Sequence, residues 1–367
     1  MSSQVVFTSF RCPGDECLTE KLIRLVKTAG LDKIDMKGKF VAVKTHFGEP
    51  GNLAYLRPNY ARALCDYIAF KGGKPFLTDC NTLYTGPRVN ALDHLSAAYQ
   101  NGFNPFATGC HVIIADGLKG DDEVAVPVNG EYVQNAYIGR AVMDADIVIS
   151  LNHFKFHEAA GFGGALKNLG MGCGSRKGKK DMHASEKPVV DASQCVGCGT
   201  CTTFCAHGAI TVNGTAYVDA TKCAGCGRCI EKCPVKCVHP MEDRANEILS
   251  RKIAEYTAAV VRGRECFHIT LACDISPYCD CYNINDTPVI EDVGMFASFD
   301  PVAIDQAALD KVNSMMPQHN SLLYTRGMRT PGDHAAMLHP DTDGAAVLDQ
   351  AEKIGLGTRA YDLVEMK

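Results

Sequence analysis

The feature that most restricts this chain is a pair of cysteine runs, Cys195-x2-Cys198-x2-Cys201-x3-Cys205 and Cys223-x2-Cys226-x2-Cys229-x3-Cys233-Pro234, the second repeating the first 28 residues later. Residues 188–240 hold nine cysteines and too few apolar side chains for a core, so what the cysteines bind must organise this stretch. Three thiolates at two-residue gaps can wrap one face of a cubane, while the fourth sits too far round and reaches the other cluster. The spacing therefore predicts two 4Fe-4S clusters. Cys195, Cys198, Cys201 and Cys233 would hold one, and Cys223, Cys226, Cys229 and Cys205 the other. Repeated C-x2-C pairs also serve zinc. Four cysteines per run, the duplicated spacing and Pro234 favour iron-sulfur. Cys205 departs from the usual bacterial pattern because Ala206-His207 follows it where proline is expected. Cys237 is an extra thiol.

Around this stretch the pattern is α/β. FVAVKTHF, PFLTD, CHVIIADG and DADIVISLNHF read as strands, the last two as buried ones. NYARALCDYIAFKG and an earlier stretch through Leu22, Leu25 and Val26 read as helices. RANEILSRKIAEYTAAVVRG and FHITLACDIS resume the alternation as helix and strand. The expected fold is a mainly parallel sheet with flanking helices, interrupted by a small ferredoxin-like α+β domain. Residues 1–187 and 244–367 would form the two parts of one α/β domain, with the cluster module at 188–243.

Nineteen cysteines in 367 residues, an odd count without an export signal, do not suit a secreted disulfide scaffold. Thiols outside the runs lean towards a reducing, anaerobic cell. A net charge of −5 gives no field for nucleic acid, and no apolar run of about 18 residues could span a membrane. A cytoplasmic protein is the expectation.

The densest group of reactive side chains lies in SLNHFKFHEAAGFGGALKNLGMGCG. His153, Lys155 and His157 follow a strand, and open α/β sheets collect ligands at strand carboxyl ends. Gly161, Gly163 and Gly164 would let a ligand approach the backbone. A helix starting near Ala165 would offer amides to an anion, with Lys167 adding charge. The other strand ends carry Lys44, His46 and Glu49, then Asp79, Cys80 and Asn81. Cys273, Cys279 and Cys281 in CDISPYCDC could hold a metal or approach a cluster, or be structural thiols. Asp300 and Asp305 read as helix caps. No Walker, G-x-S-x-G or correctly placed dinucleotide motif supports nucleotide, serine-hydrolase or flavin chemistry.

The strings KTHFGEPGN, TDCNTLY, IIADGL, NHFKFHEAAGFGGALKNLGMGC, DISPYCDC and ASFDPVAID, in this order around a double cysteine run, resemble the domain of unknown function 362 family over nearly the whole chain. A more distant similarity is to the nickel-pincer lactate racemase, in which a Gly-rich segment carries the lysine bound to the cofactor. That resemblance implies a metal or organic cofactor on Lys167, with His46, His153 or His157 as ligand or proton carrier. Three functions are carried forward. The first is an iron-sulfur oxidoreductase that exchanges electrons with a small anionic substrate or cofactor and with a redox partner protein. The others are a non-enzymatic electron-transfer or metallocentre-assembly protein and a pincer-type isomerase.

Overall fold

A computed structural model describes residues 2–241 and 244–366. Its frame is an eight-stranded sheet of β1 (Ser3–Thr8), β2 (Phe40–Lys44), β3 (Lys74–Asp79), β4 (His111–Ile114), β5 (Ile147–His153), β6 (Glu265–Ala272), β7 (Gly294–Ser298) and β8 (Tyr361–Glu365). The spatial order is β8-β1-β7-β6-β5-β2-β3-β4. Only the two pairings made by β7 are antiparallel, so the other seven strands point one way. The expected mainly parallel α/β sheet is present.

Alternation along each strand loads both faces of the sheet. Val41, Val43, Ile147, Ile149 and Leu151 face α1 (Leu18–Thr28) and α2 (Pro58–Phe70). Ala42 and Val148 face the opposite layer, built from α3 (Ala165–Cys173), α4 (Ala245–Val261) and α5 (Pro301–Asn313). Every residue of β5 is buried, as expected for a central strand covered twice. The short strand β4 differs from expectation. It forms the sheet edge, and Ile113 is 43% exposed because only one side has a neighbouring strand.

The cysteine-rich segment leaves the sheet after β5 and returns before β6, yet these two strands are parallel neighbours in register from Ile147↔Glu265 to His153↔Leu271. Within the segment, Pro188–Val190 pairs with Val238–Pro240, and Ile210–Asn213 forms a hairpin with Thr215–Val218. Two single-turn helices, Thr200–Thr203 and Arg228–Glu231, begin after Gly199 and Gly227 in the left-handed region. The internal repeat thus extends to the backbone. It also places Gly208 at φ 56° and Lys236 at φ 55° in equivalent positions. Cys201, Cys229, Cys233 and Cys237 make up much of the segment's small core, with Ile210, Ala216 and Val238. The expected end of the cluster module at residue 243 lies outside the described residues.

Candidate functional site

Parallel strands bring their carboxyl ends to one edge, and here that edge opens on a cavity of about 750 Å³. Lys44 ends β2 and His46 follows it, Asp79 ends β3 and Cys80 follows it, and His153 ends β5 with Lys155 and His157 just beyond. Lys167 enters from α3. The opposite wall comes from the cysteine-rich segment, including Cys226, Arg228 and Glu231. Side chains of KTHFGEPGN, TDCNTLY and the stretch from His153 to Lys167 thus meet at one cavity.

The buried cations are held by carboxylates. Lys44 Nζ lies 3.1 Å from Asp79 Oδ1 and donates to Asn168 Oδ1 at 2.6 Å. Gly172 is required beside it, since a Cβ there would collide with the ammonium. Arg88, which sequence reasoning missed, donates to Glu49 at 2.7 Å and to the Tyr84 hydroxyl at 2.6 Å, and its Nη1 faces His46 Nε2 at 3.1 Å. Burial and the adjacent Arg88, Lys155 and Lys44 hold His46 well below the usual imidazole range, so it is neutral at pH 7. Asn81 has a structural task, donating to Asp116 and to the Gly117 carbonyl.

Asp280, the other missed residue, links the β5 end to the loop after β6. It accepts from Lys155 Nζ at 2.6 Å and faces His153 Nδ1 at 3.0 Å. Burial opposes the charge on Lys155, but Asp280 and Cys279 outweigh it and raise its pKa. His153 Nε2 lies 2.7 Å from the Cys273 carbonyl, so both ring nitrogens face acceptors. Through these contacts the ring ties β5 to the following loop.

The glycine-rich turn also needs correction. Asp305 accepts from the amides of Ala165 at 2.6 Å and Leu166 at 2.9 Å, so a carboxylate of the protein already occupies the start of α3. Burial pushes that acid up to about 7. A Cβ on Gly164 would strike Asp305, and one on Gly161 would strike Gly344, so these two glycines admit the chain itself, while Gly163 and Gly164 also line the cavity. Gly163 lies against Lys167 and Lys155. Asp300 caps its own helix α5 as expected, accepting from Val302 and Ala303, whereas Asp305 sits within α5 and caps a different helix.

His157 faces a third cluster. Its Nδ1 accepts from the amides of Ala159 and Ala160 at 3.0 and 3.2 Å, and burial followed by nearby Lys167 lowers its pKa well below normal. Donor atoms of His157, Cys279 and Cys281 lie within 4.8 Å of one another, close enough to hold a metal. Lys167 Nζ is 3.7 Å from Cys279 Sγ. Cys273 is not part of this group. Glu158, pushed up to about 7 by burial and then by Cys279, accepts from the Tyr282 hydroxyl at 2.8 Å. That hydroxyl is also 3.3 Å from Glu231 in the cysteine-rich segment. Arg228 of the same segment lies over the Tyr84 ring at 4.5 Å.

Cys195, Cys198, Cys201 and Cys233 line one small pocket, with Cys237 beside them. Cys205 joins Cys223, Cys226 and Cys229, where burial and then these neighbours push Cys229 up to about 12. Both groupings cross the repeat. Amides of Ala216, Ala209 and Gly225 point at Cys195, Cys205 and Cys223 from 3.3, 3.3 and 3.4 Å. All-thiol sets with amide donors fit cluster chemistry, which tolerates and is tuned by such hydrogen bonds.

The model of the domain of unknown function DUF362 matches residues 41–310. The chain belongs to the DUF362 family. No curated protein matches it. Among solved structures, this DUF362 protein is similar to the lactate racemase apoprotein from Thermoanaerobacterium thermosaccharolyticum, at 12% identity and a TM-score of 0.41. That alignment covers 85% of this chain and 58% of the racemase. A protein from Thermotoga maritima aligns at 14% identity and a TM-score of 0.37, over 71% of this chain and 52% of its own. The chain thus spans little more than half of either. Among the described residues, no helix is long and apolar enough to cross a membrane.

Proposed function

We propose that this DUF362 protein is an iron-sulfur oxidoreductase that passes electrons between two 4Fe-4S clusters and a small anionic substrate or cofactor in the cavity. One observation carries the reading: the cysteine-rich segment and the Lys155, His157 and Lys167 group wall the same cavity. Clusters of this kind supply single electrons. Cys195, Cys198, Cys201 and Cys233 would hold the outer cluster, and Cys205, Cys223, Cys226 and Cys229 the one beside the cavity. Cys226 lines the cavity while Cys198 is exposed, so a redox partner protein would meet the outer end.

The chain's own residues do the remaining work. Lys167 attracts an anionic group, and low local dielectric strengthens that attraction, while Lys155 is paired with Asp280. The protonated carboxyl of Glu158, near neutrality, supplies or takes a proton at the edge shared with Tyr282. Cavity walls from two parts of the chain limit access of bulk water.

Anaerobic purification followed by iron analysis and reductive titration tests this reading. Eight iron atoms per chain and two low-potential one-electron reductions are expected. Four or fewer iron atoms after full reconstitution, or clusters that accept no electron, would overturn it. Lys167→Ala should weaken binding of an anionic probe such as inorganic phosphate. Unchanged binding would instead leave a carrier protein without a substrate site.

A further inference from the structure

Cys279 and Cys281 stand two residues apart in the loop after β6, and their surroundings differ. Cys279 is fully buried, while Cys281 is partly exposed and lines the cavity. Their sulfurs lie within 4.8 Å of one another. The Cys281 amide points at Cys279 Sγ from 3.5 Å, and Lys167 Nζ points at the same sulfur from 3.7 Å. Cations and amide donors aimed at one sulfur stabilise a thiolate there. Despite burial, the Cys281 thiol, Lys167 and Lys155 bring Cys279 well below the ordinary thiol range, and Cys281 is correspondingly raised. The two sulfurs are thus placed unequally, Cys279 beside the ammonium of Lys167 and Cys281 facing the cavity.

A divalent metal on His157, Cys279 and Cys281 is the competing use of these atoms. Two observations count against it. The ammonium of Lys167 already provides the compensating charge at Cys279, and a second cation would be repelled by it. His157 Nδ1 is occupied by two backbone amides, which places the remaining ring proton on Nε2. A metal at either nitrogen would have to displace an amide contact or a proton.

We propose that Cys279 and Cys281 form a redox-active dithiol–disulfide couple in the cavity wall, with small anionic disulfides as the substrate class. For its physiological electron source this rests on the oxidoreductase reading above; the couple itself is testable without it. In the oxidising direction the pair starts with one proton between its two sulfurs, and this proton rests on Cys279 when Cys281 is the thiolate. The Cys281 thiolate attacks one sulfur of the substrate disulfide, a mixed disulfide forms, and one substrate thiolate leaves. Cys279 then attacks Cys281 Sγ, the second substrate thiolate leaves, and the Cys279 proton goes to a departing thiolate. One intramolecular disulfide, one substrate thiol and one substrate thiolate result, so atoms, charge and electrons balance. Regenerating the dithiol takes two electrons, and two one-electron clusters match that number. The cavity's lysines select the anionic class.

The test uses the full chain, purified anaerobically and equilibrated across a series of reduced and oxidised dithiothreitol buffers. Samples are acid-quenched, alkylated and mapped by peptide mass, and iron is measured on each. Cys279 and Cys281 should lose alkylation together at a single midpoint, with a linked peptide 2 Da lighter as one disulfide forms. Cys281→Ser should abolish that transition with the iron content unchanged. Full alkylation of both residues in the most oxidising buffer would overturn the couple. So would joint protection that persists in reduced buffer and yields to a chelator, which marks a metal. At low salt, oxidised glutathione should react roughly tenfold faster than the cationic disulfide cystamine; equal or reversed rates would overturn the anionic class. Loss of iron with an intact dithiol transition would instead overturn the oxidoreductase reading alone.

Discussion

Ile149 in β5 and Cys201 in the cysteine-rich segment are both buried, yet among different neighbours. Ile149 belongs to a core rich in Val, Leu, Ile and Phe side chains that draws on seven strands, β1 to β7, and on the helices α1 and α2. Cys201 belongs to a core of seven residues, four of them cysteines. In the first region apolar burial is sufficient to order the chain. In the second, repeated turns bring thiols together, and their stabilisation must come from what joins them. Metal binding to such sets is folding free energy.

The largest expected effect breaks the two regions apart. Removing iron by chelation under oxidising conditions should leave the sheet intact by circular dichroism, while amide exchange across residues 195–237 accelerates by two or more orders of magnitude. Equal protection with and without iron would mean that the segment stands on its own packing. The converse change is Leu151→Ala, which leaves a cavity in the central sheet and should cost about 2–5 kcal/mol in denaturant unfolding of the body, with iron retention unaltered.

A smaller effect concerns protons. Asp305 holds its proton in the folded body up to about pH 7, well above the ordinary 3.8, and Glu158 behaves likewise from 4.5. Between those ordinary values and pH 7 the native state binds more protons than the unfolded one, so body stability falls as pH rises. The slope is at most about 1.4 kcal/mol per pH unit for fully buried Asp305, and well below that for Glu158, whose side chain is 39% exposed and screened by solvent. Urea midpoints from pH 5.5 to 8 should show that fall, and Asp305→Asn should remove most of it. The smallest change lies in the segment. Lys236 occupies the left-handed region where its repeat partner is Gly208. Lys236→Gly should slow iron loss slightly, consistent with about 0.5–1 kcal/mol of relieved strain.

The central strands were legible because a strand covered on both faces needs a run such as DADIVISLNHF. The cysteine groupings were legible because spacing limits which thiols can meet. What stayed hidden was complementarity across long separations. Asp280 neutralises Lys155 from 125 residues away, and Asp305 reaches Ala165 from 140. Local sequence around His153 contains no sign of either acid. Asp280 did lie inside CDISPYCDC, between the two cysteines that drew notice. A search for the counter-charge to two buried lysines could have found it. Strands β1, β7 and β8 went unread because each is short and joins the sheet through partners distant in sequence, and the reversed β7 breaks the simple βαβ pattern.

Val190 pairs with Val238, so the chain departs for the cysteine-rich segment and comes back at the same spot. Geometrically this is a plug with both pins side by side. Whatever is built between them, long, short or absent, leaves the distance spanned by the body almost unchanged. A genetic deletion joining Val190 to Val238 through a tight turn should therefore yield a foldable stump. By the same geometry, an ancestral sheet could have acquired its wiring in one step without redrawing the scaffold.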